Sequence, residues 1–189
     1  LEKSVLSTME IKIEENGIFE FIPDPIIPFA DSRYVQYVNV EMHENAKFLY
    51  AETIYQGRSA YGENFDYSLL ELRLKVKMNK LPILNDALVI KPKANNMKNE
   101  GLFESYPYLG SFYIIGVSGE VLNEMYTDID ELLHSKEGLI GACSIFQNKG
   151  LFVRFLAESA LILREYYFKL WNISRKYTLK KESIFLRKL

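Results

Sequence analysis

Cysteine, tryptophan and histidine are scarce here: one Cys, one Trp and two His among 189 residues. The single thiol, Cys143, excludes an intramolecular disulfide and fits a reducing, cytosolic setting better than a secreted one. No Cys-x-x-Cys or His-x-x-x-His spacing occurs, so a closed structural zinc site is not supported. No apolar run approaches the roughly 20 residues that span a bilayer. The start carries no basic, apolar and small-residue signal pattern. The expected location is therefore cytoplasmic, with no membrane contact. A net charge of −2 leaves no electrostatic footprint for nucleic acid. A glycine-rich phosphate loop and a Gly-x-Ser-x-Gly elbow are both missing, so nucleotide or acyl-transfer chemistry within the chain is not expected.

What is abundant is Tyr (13) and Phe (12), in a chain that is 48% hydrophobic. These residues suit pleated, half-buried surfaces, so the composition leans towards strands around a sizeable core. Period-two alternation runs through Met9–Ile13, Phe19–Phe21, Tyr34–Glu41, Lys47–Tyr55, Leu69–Met78 and Leu84–Ile90. Asn16-Gly17, His43-Glu44-Asn45 and Asn79-Lys80 are turn signals between them. These six segments read as an antiparallel β-meander. Pro23, Pro25 and Pro28 make an extended, kinked connection, because each fixes φ and lacks an N–H.

From Lys91 to Tyr108 the pattern fades into a loop. Beyond it the order is strand (Phe112–Val117), helix, hairpin and helix. The helices fall near Glu120–His134 and Ala157–Tyr177, where apolar residues recur at helical spacing. The hairpin turns over Asn148-Lys149-Gly150. The fold class is mainly β, with two α-helices in the C-terminal half. The loop divides a β-rich region, 1–110, from a strand-helix-strand-strand-helix subdomain, 111–189, in one continuous folding unit. The basic tail from Lys180 reads as frayed.

Few residues carry chemistry by pattern. His134 sits at a helix end, where the dipole favours it. His43 lies in a turn. Cys143, in a strand-like run without a neighbouring His, reads as a small buried hydrophobe. Carboxylates are plentiful, and any two of them can meet as an acid–base pair.

One stretch is more specific. Phe19 to Gln36 contains Pro25-Ile26-Ile27-Pro28-Phe29, then Arg33, an aromatic and Gln36. Ala51-Glu52-Thr53-Ile54 precedes Gly57-Arg58. Gly62-Glu63-Asn64-Phe65 follows, then Leu72-Arg73-Leu74. Gly138 to Arg164 closes the pattern with a hairpin and helix. Together these segments resemble the UreD (UreH) family of urease accessory proteins over nearly the whole chain. Family members carry a further run of strands ahead of a segment similar to Glu2-Lys3-Ser4. The chain thus reads as an N-terminally truncated or short form, with an open sheet edge where those strands would pair.

The resemblance implies a β-helix-like fold and a role as a scaffold rather than an enzyme. It implies direct binding of UreF, contact with UreG through UreF, and binding of the urease apoprotein. GTP would be bound only on UreG. No cofactor is expected to be held tightly, with nickel passing transiently towards urease. Nickel accepts oxygen ligands, and a conduit must bind weakly. Scattered, solvated carboxylates on strands suit this, with Glu52 and Glu63 first and Asp31 and Asp66 second. The competing reading of Glu63 is an ion pair with Arg58 or Arg73. Pro28 and Phe29 are expected to shape a turn and plug a core. Two other functions remain open at this point: a β-rich hydrolase using Glu52 and Glu63, or a general protein-interaction module.

Overall fold

Alternation in Leu69–Met78 sends Leu70, Leu72, Leu74 and Val76 to one face and Glu71, Arg73, Lys75 and Lys77 to the other. That segment is a strand with its apolar face buried. The same logic builds the rest of the molecule. The computed structural model describes residues 4–135 and 137–181. The basic tail from residue 182 onward, expected to fray, lies outside them. The elements in chain order are β1 (Val5–Ile13), β2 (Ile18–Phe21), β3 (Arg33–Met42), β4 (Lys47–Tyr55), β5 (Leu69–Met78), β6 (Leu81–Ile90), β7 (Tyr108–Ile115), α1 (Gly119–Leu133), β8 (Leu139–Phe146), β9 (Gly150–Ala157) and α2 (Ala160–Leu179). Strands dominate and the two expected helices are present. No helix among the described residues is long and apolar enough to cross a membrane.

The strands form two mixed sheets, ordered β1-β3-β5-β6 and β2-β4-β7-β9-β8. The antiparallel meander expected for the first half is not what forms. β1 pairs parallel with β3, β3 parallel with β5, and β2 parallel with β4. The Asn16-Gly17 turn therefore closes no hairpin. It carries the chain from one sheet to the other, with Asn16 at φ 58° and Gly17 N–H donating to Glu14 O at 2.9 Å. His43-Glu44-Asn45 does the same between β3 and β4. The chain coils through both sheets, as the β-helix-like expectation anticipates. Among the described residues, Asn79-Lys80 and the turn at Asn148 are the turns that close true hairpins, β5–β6 and β8–β9. Among the described residues β1 and β2 end their sheets on one side.

The inner faces of the sheets meet in a core containing Val38, Val40, Phe48, Tyr50, Leu74, Val76 and Tyr113. A ladder of stacked rings crosses it, Phe21–Tyr50–Tyr113–Phe152, with centroids 5.6, 5.7 and 4.9 Å apart. The outer face of the second sheet is covered by both helices. α1 buries Leu122, Met125, Ile129 and Leu133, one stripe at i, i+3, i+7 and i+11. Each such burial contributes about 1.5–3 kcal/mol. α2 starts at Ser159, whose Oγ accepts from Ile162 N–H at 3.2 Å, and it buries Leu163, Tyr166, Tyr167, Leu170 and Trp171. Gly116 makes the β7–α1 bend possible. Its φ is +91°, and a Cβ there would lie 2.0 Å from Ala46 O.

Candidate functional site

A polar layer interrupts the apolar interior. On β4, alternation turns Phe48, Tyr50, Glu52 and Ile54 inward, and register aligns Glu52 with Ser111 on β7 and Ser111 with Arg154 on β9. Opposite, β3 contributes Gln36 and β6 contributes Asp86. The Glu52 carboxylate is buried, at 4% exposure. Its Oε1 accepts from Tyr50 O–H at 2.5 Å and from Gln36 Nε2 at 2.9 Å. Tyr34 O–H donates to Gln36 Oε1 at 3.0 Å, extending the chain along β3. Further along, Asp86 Oδ2 accepts from Tyr113 O–H at 2.6 Å and from Arg154 Nη2 at 2.7 Å, while Arg154 Nε donates to Ser111 Oγ at 3.3 Å. Arg154 also lines a pocket of about 480 Å³ beside β8 and the 91–107 loop. The layer thus holds two hydrogen-bonded clusters, one around the buried Glu52 and one around Asp86, within electrostatic reach of each other, and the second reaches the pocket through Arg154.

Burial dominates the electrostatics of this layer. It raises the Glu52 carboxyl to about 7, the Asp86 charge raising it further, while Tyr50, Arg154 and Gln36 pull it back. Glu52 therefore exchanges its proton near neutrality. Burial also pushes the phenols of Tyr50 and Tyr113 well above their ordinary value, so both stay protonated donors. Such a layer offers carboxylate, amide and phenol oxygens without thiolate or clustered imidazole. Among the described residues no group of three or more His, Cys, Asp and Glu side chains is placed to hold a metal ion.

The remaining candidates lie elsewhere. Glu63 is not on a strand. It sits in the loop after β4, where Arg58 Nε donates to its Oε2 at 2.9 Å, Arg58 Nη2 binds its Oε1, and Ala30 N–H donates to Oε2 at 3.0 Å. The Arg58 partner holds its pKa below the ordinary value. Glu52 and Glu63 thus have disjoint hydrogen-bond partners, and the pairing weighed for Glu63 with Arg58 is the one that forms. Arg73 pairs with Glu71 instead, at 2.6 Å. Asp31 and Asp66 are exposed. Asp31 pairs with Lys93, and Asp66 Oδ2 accepts from Asn64 N–H at 2.8 Å. The expectation of solvated carboxylates therefore needs correction at Glu52, because the inward parity of β4 buries it.

The motif residues shape two loops. Pro28 is buried, but Phe29 does not plug the core: it is 56% exposed, with Arg58 stacked 4.2 Å from its ring centroid and 5.1 Å from that of Tyr61. Gly57 is needed where it stands, since a Cβ would meet Glu63 O at 2.7 Å and its φ is +146°. Gly62, at φ 78°, ends the short 3₁₀ turn Ser59–Tyr61. Phe65 packs on Phe103 at 4.8 Å. Arg33 Nε reaches Ser4 Oγ at 3.4 Å, and Pro25 is exposed. Cys143 is buried, and its thiol is raised to about 11, mainly by that burial. His134 caps α1, with Nδ1 2.8 Å from Asp130 O.

Sequence reading missed Tyr50, Asp86, Tyr113 and Arg154 as members of the layer. The available signal was a charge at an inward position of an otherwise apolar strand, as in Phe152-Val153-Arg154-Phe155.

Comparison with known proteins adds a family. A family model described as UreD urease accessory protein matches residues 2–188. The chain is 29% identical over 160 residues to urease accessory protein UreH of Helicobacter pylori (strain G27), covering 83% of this chain and 58% of that protein. It is 28% identical over 187 residues to UreD of Lachnoclostridium phytofermentans, covering 97% and 67%. UreD of Bacillus cereus is 23% identical over 185 residues, covering 97% and 66%. The chain therefore spans about three-fifths to two-thirds of the length of these relatives.

Proposed function

We propose that this chain, which belongs to the UreD family of urease accessory proteins, is a non-catalytic scaffold in urease maturation that passes nickel through the polar layer between its sheets. In this reading UreF binds it directly, UreG joins through UreF with its GTP, and the urease apoprotein receives the metal. The observation that carries the passage is the buried Glu52 carboxylate, held by Tyr50 and Gln36 and within electrostatic reach of the Asp86–Arg154 pair, whose arginine lines a surface pocket. Two carboxylates among phenol and amide groups bind a divalent ion weakly, and a carrier must release its cargo. Glu52 takes the central role, while Glu63 holds the Arg58 loop. Asp31 and Asp66, both exposed, are second candidates. The hydrolase reading has less support, because Glu52 and Glu63 share no hydrogen-bond partner.

The test is urease activation in cells at limiting nickel with Glu52→Gln, which keeps the acceptor oxygen and removes the charge. Activation should fall about tenfold or more, excess nickel should restore part of it, and soluble yield and co-elution with UreF should be unchanged. Normal activation at limiting nickel would refute the passage. Loss of UreF co-elution by the folded parent chain would refute the scaffold.

A further inference from the structure

Among the described residues, the strand positions that face the space between the two sheets carry charged groups at Glu52, Asp86 and Arg154. A guanidinium is an odd occupant of a route for cations, because it already sits where positive charge is best stabilised. Its Nη2 lies 2.7 Å from Asp86 Oδ2.

We propose that Arg154 is a built-in stand-in for the travelling ion: it occupies the cation position beside Asp86 and swings outward, to the pocket beside β8, when a divalent ion enters. This rests on the passage reading above and names its regulation.

Charge balance supports the exchange. The two carboxylates and the guanidinium leave one surplus negative charge when both acids are ionised. A divalent ion added to all three leaves surplus positive charge in a medium that screens poorly. The same ion with Arg154 withdrawn is balanced by Glu52 and Asp86. The layer therefore favours one cation or the other.

Geometry allows the movement. The Arg154 side chain is 32% exposed, whereas the Glu52 residue is only 4% exposed. Across the β8–β9 pair its register partner is Ala142, with Gly141 beside it, and both line the pocket. Small residues leave that side open. The guanidinium itself stacks on Phe152, with Cζ 4.7 Å from the ring centroid, a face that lets it slide outward while keeping part of its contact. Departure of the guanidinium does not strand Asp86, because Tyr113 O–H still donates to the same oxygen at 2.6 Å.

The experiment titrates the full chain with Ni²⁺ by calorimetry, using wild type, Arg154→Gln, Arg154→Lys and Glu52→Gln, each checked for folding by circular dichroism. Arg154→Gln should bind at least about tenfold more tightly than wild type, since the competing charge is gone. Arg154→Lys should stay near wild type, and Glu52→Gln should bind more weakly. Arg154→Gln binding no more tightly than Arg154→Lys overturns the proposal. If Glu52→Gln is still weakened in that case, the passage survives and only the gate falls. If Glu52→Gln equals wild type, the passage falls as well. Should Arg154→Gln fail to fold, Ala142→Leu keeps the ion pair and narrows the exit. Stopped-flow nickel uptake slowed by that change supports the gate, and unchanged uptake overturns it.

Discussion

Glu52→Gln should flatten the dependence of stability on pH, and the size of the effect follows from burial. The Glu52 carboxyl titrates at about 7 in the folded chain, against an ordinary value of 4.5. Between those values the folded chain holds a proton that the unfolded chain has lost. Stability therefore falls as pH rises through this window, and the loss is complete above 7. A difference of that size corresponds to about 3 kcal/mol. Glu63 and Asp128 have lowered pKa values and act with the opposite sign, at lower pH. Both proteins share them, so the difference between wild type and variant isolates Glu52. Gln at this position still accepts from Tyr50 and Gln36 through its oxygen. Urea unfolding at pH 5, 6, 7 and 8 reads the effect. With a slope of about 2 kcal/mol/M, the midpoint of wild type should drop by about 1.2 M relative to the variant between pH 5 and 8, since part of the window lies below pH 5. Parallel midpoints across that range would show that Glu52 is ionised in the folded protein, and the reasoning would fail.

Other outcomes follow from the same structure. Gly116→Ala should lower the melting temperature sharply or abolish soluble expression, at a cost of more than about 2 kcal/mol, because the new Cβ meets Ala46 O and φ is positive; a normal melt refutes that close approach. Glu63→Ala should lower the melting temperature, because it strips Arg58 of its bidentate partner. At equal soluble yield it should leave urease activation unchanged, and a selective loss of activation would return Glu63 to the nickel path. Cys143 should resist a thiol reagent such as dithionitrobenzoate in the native protein and react fully in denaturant; rapid native labelling would contradict its burial.

How much of this was legible depends on what alternation encodes. Leu70, Leu72, Leu74 and Val76 declare the buried face of their strand, and the spacing of Leu122, Met125 and Ile129 declares a helix stripe. Neither says which strand lies alongside. A polar turn such as Asn16-Gly17 or His43-Glu44-Asn45 looks the same whether the next strand pairs with its predecessor or crosses to a second sheet. Parallel coiling was therefore misread as a meander, while the turns at Asn79 and Asn148 were read correctly. At the site, the same blindness to partners hid Asp86 and Arg154, which come from β6 and β9 to meet a residue on β4. Glu52 and Glu63 stand eleven positions apart and look equivalent in sequence. One falls at an inward parity on a strand and the other in a loop beside an arginine, and only the fold separates them.

The parallel coil also sets the order in which the chain can assemble. Val5 must find Tyr34, and Tyr34 must find Leu70, so each parallel pairing closes a loop of about 30 residues or more before any reward arrives. The β5–β6 and β8–β9 hairpins close over a few residues and form on the microsecond scale. They are ready-made edges in an otherwise slow, high-contact-order topology. Folding is then templated from the middle of the chain outward, β5 recruiting β3 and β3 recruiting β1. In pulsed hydrogen exchange the amides of Leu70–Val76 should gain protection before those of Met9–Ile13. The opposite order would mean that the first turn of the coil forms without its neighbour.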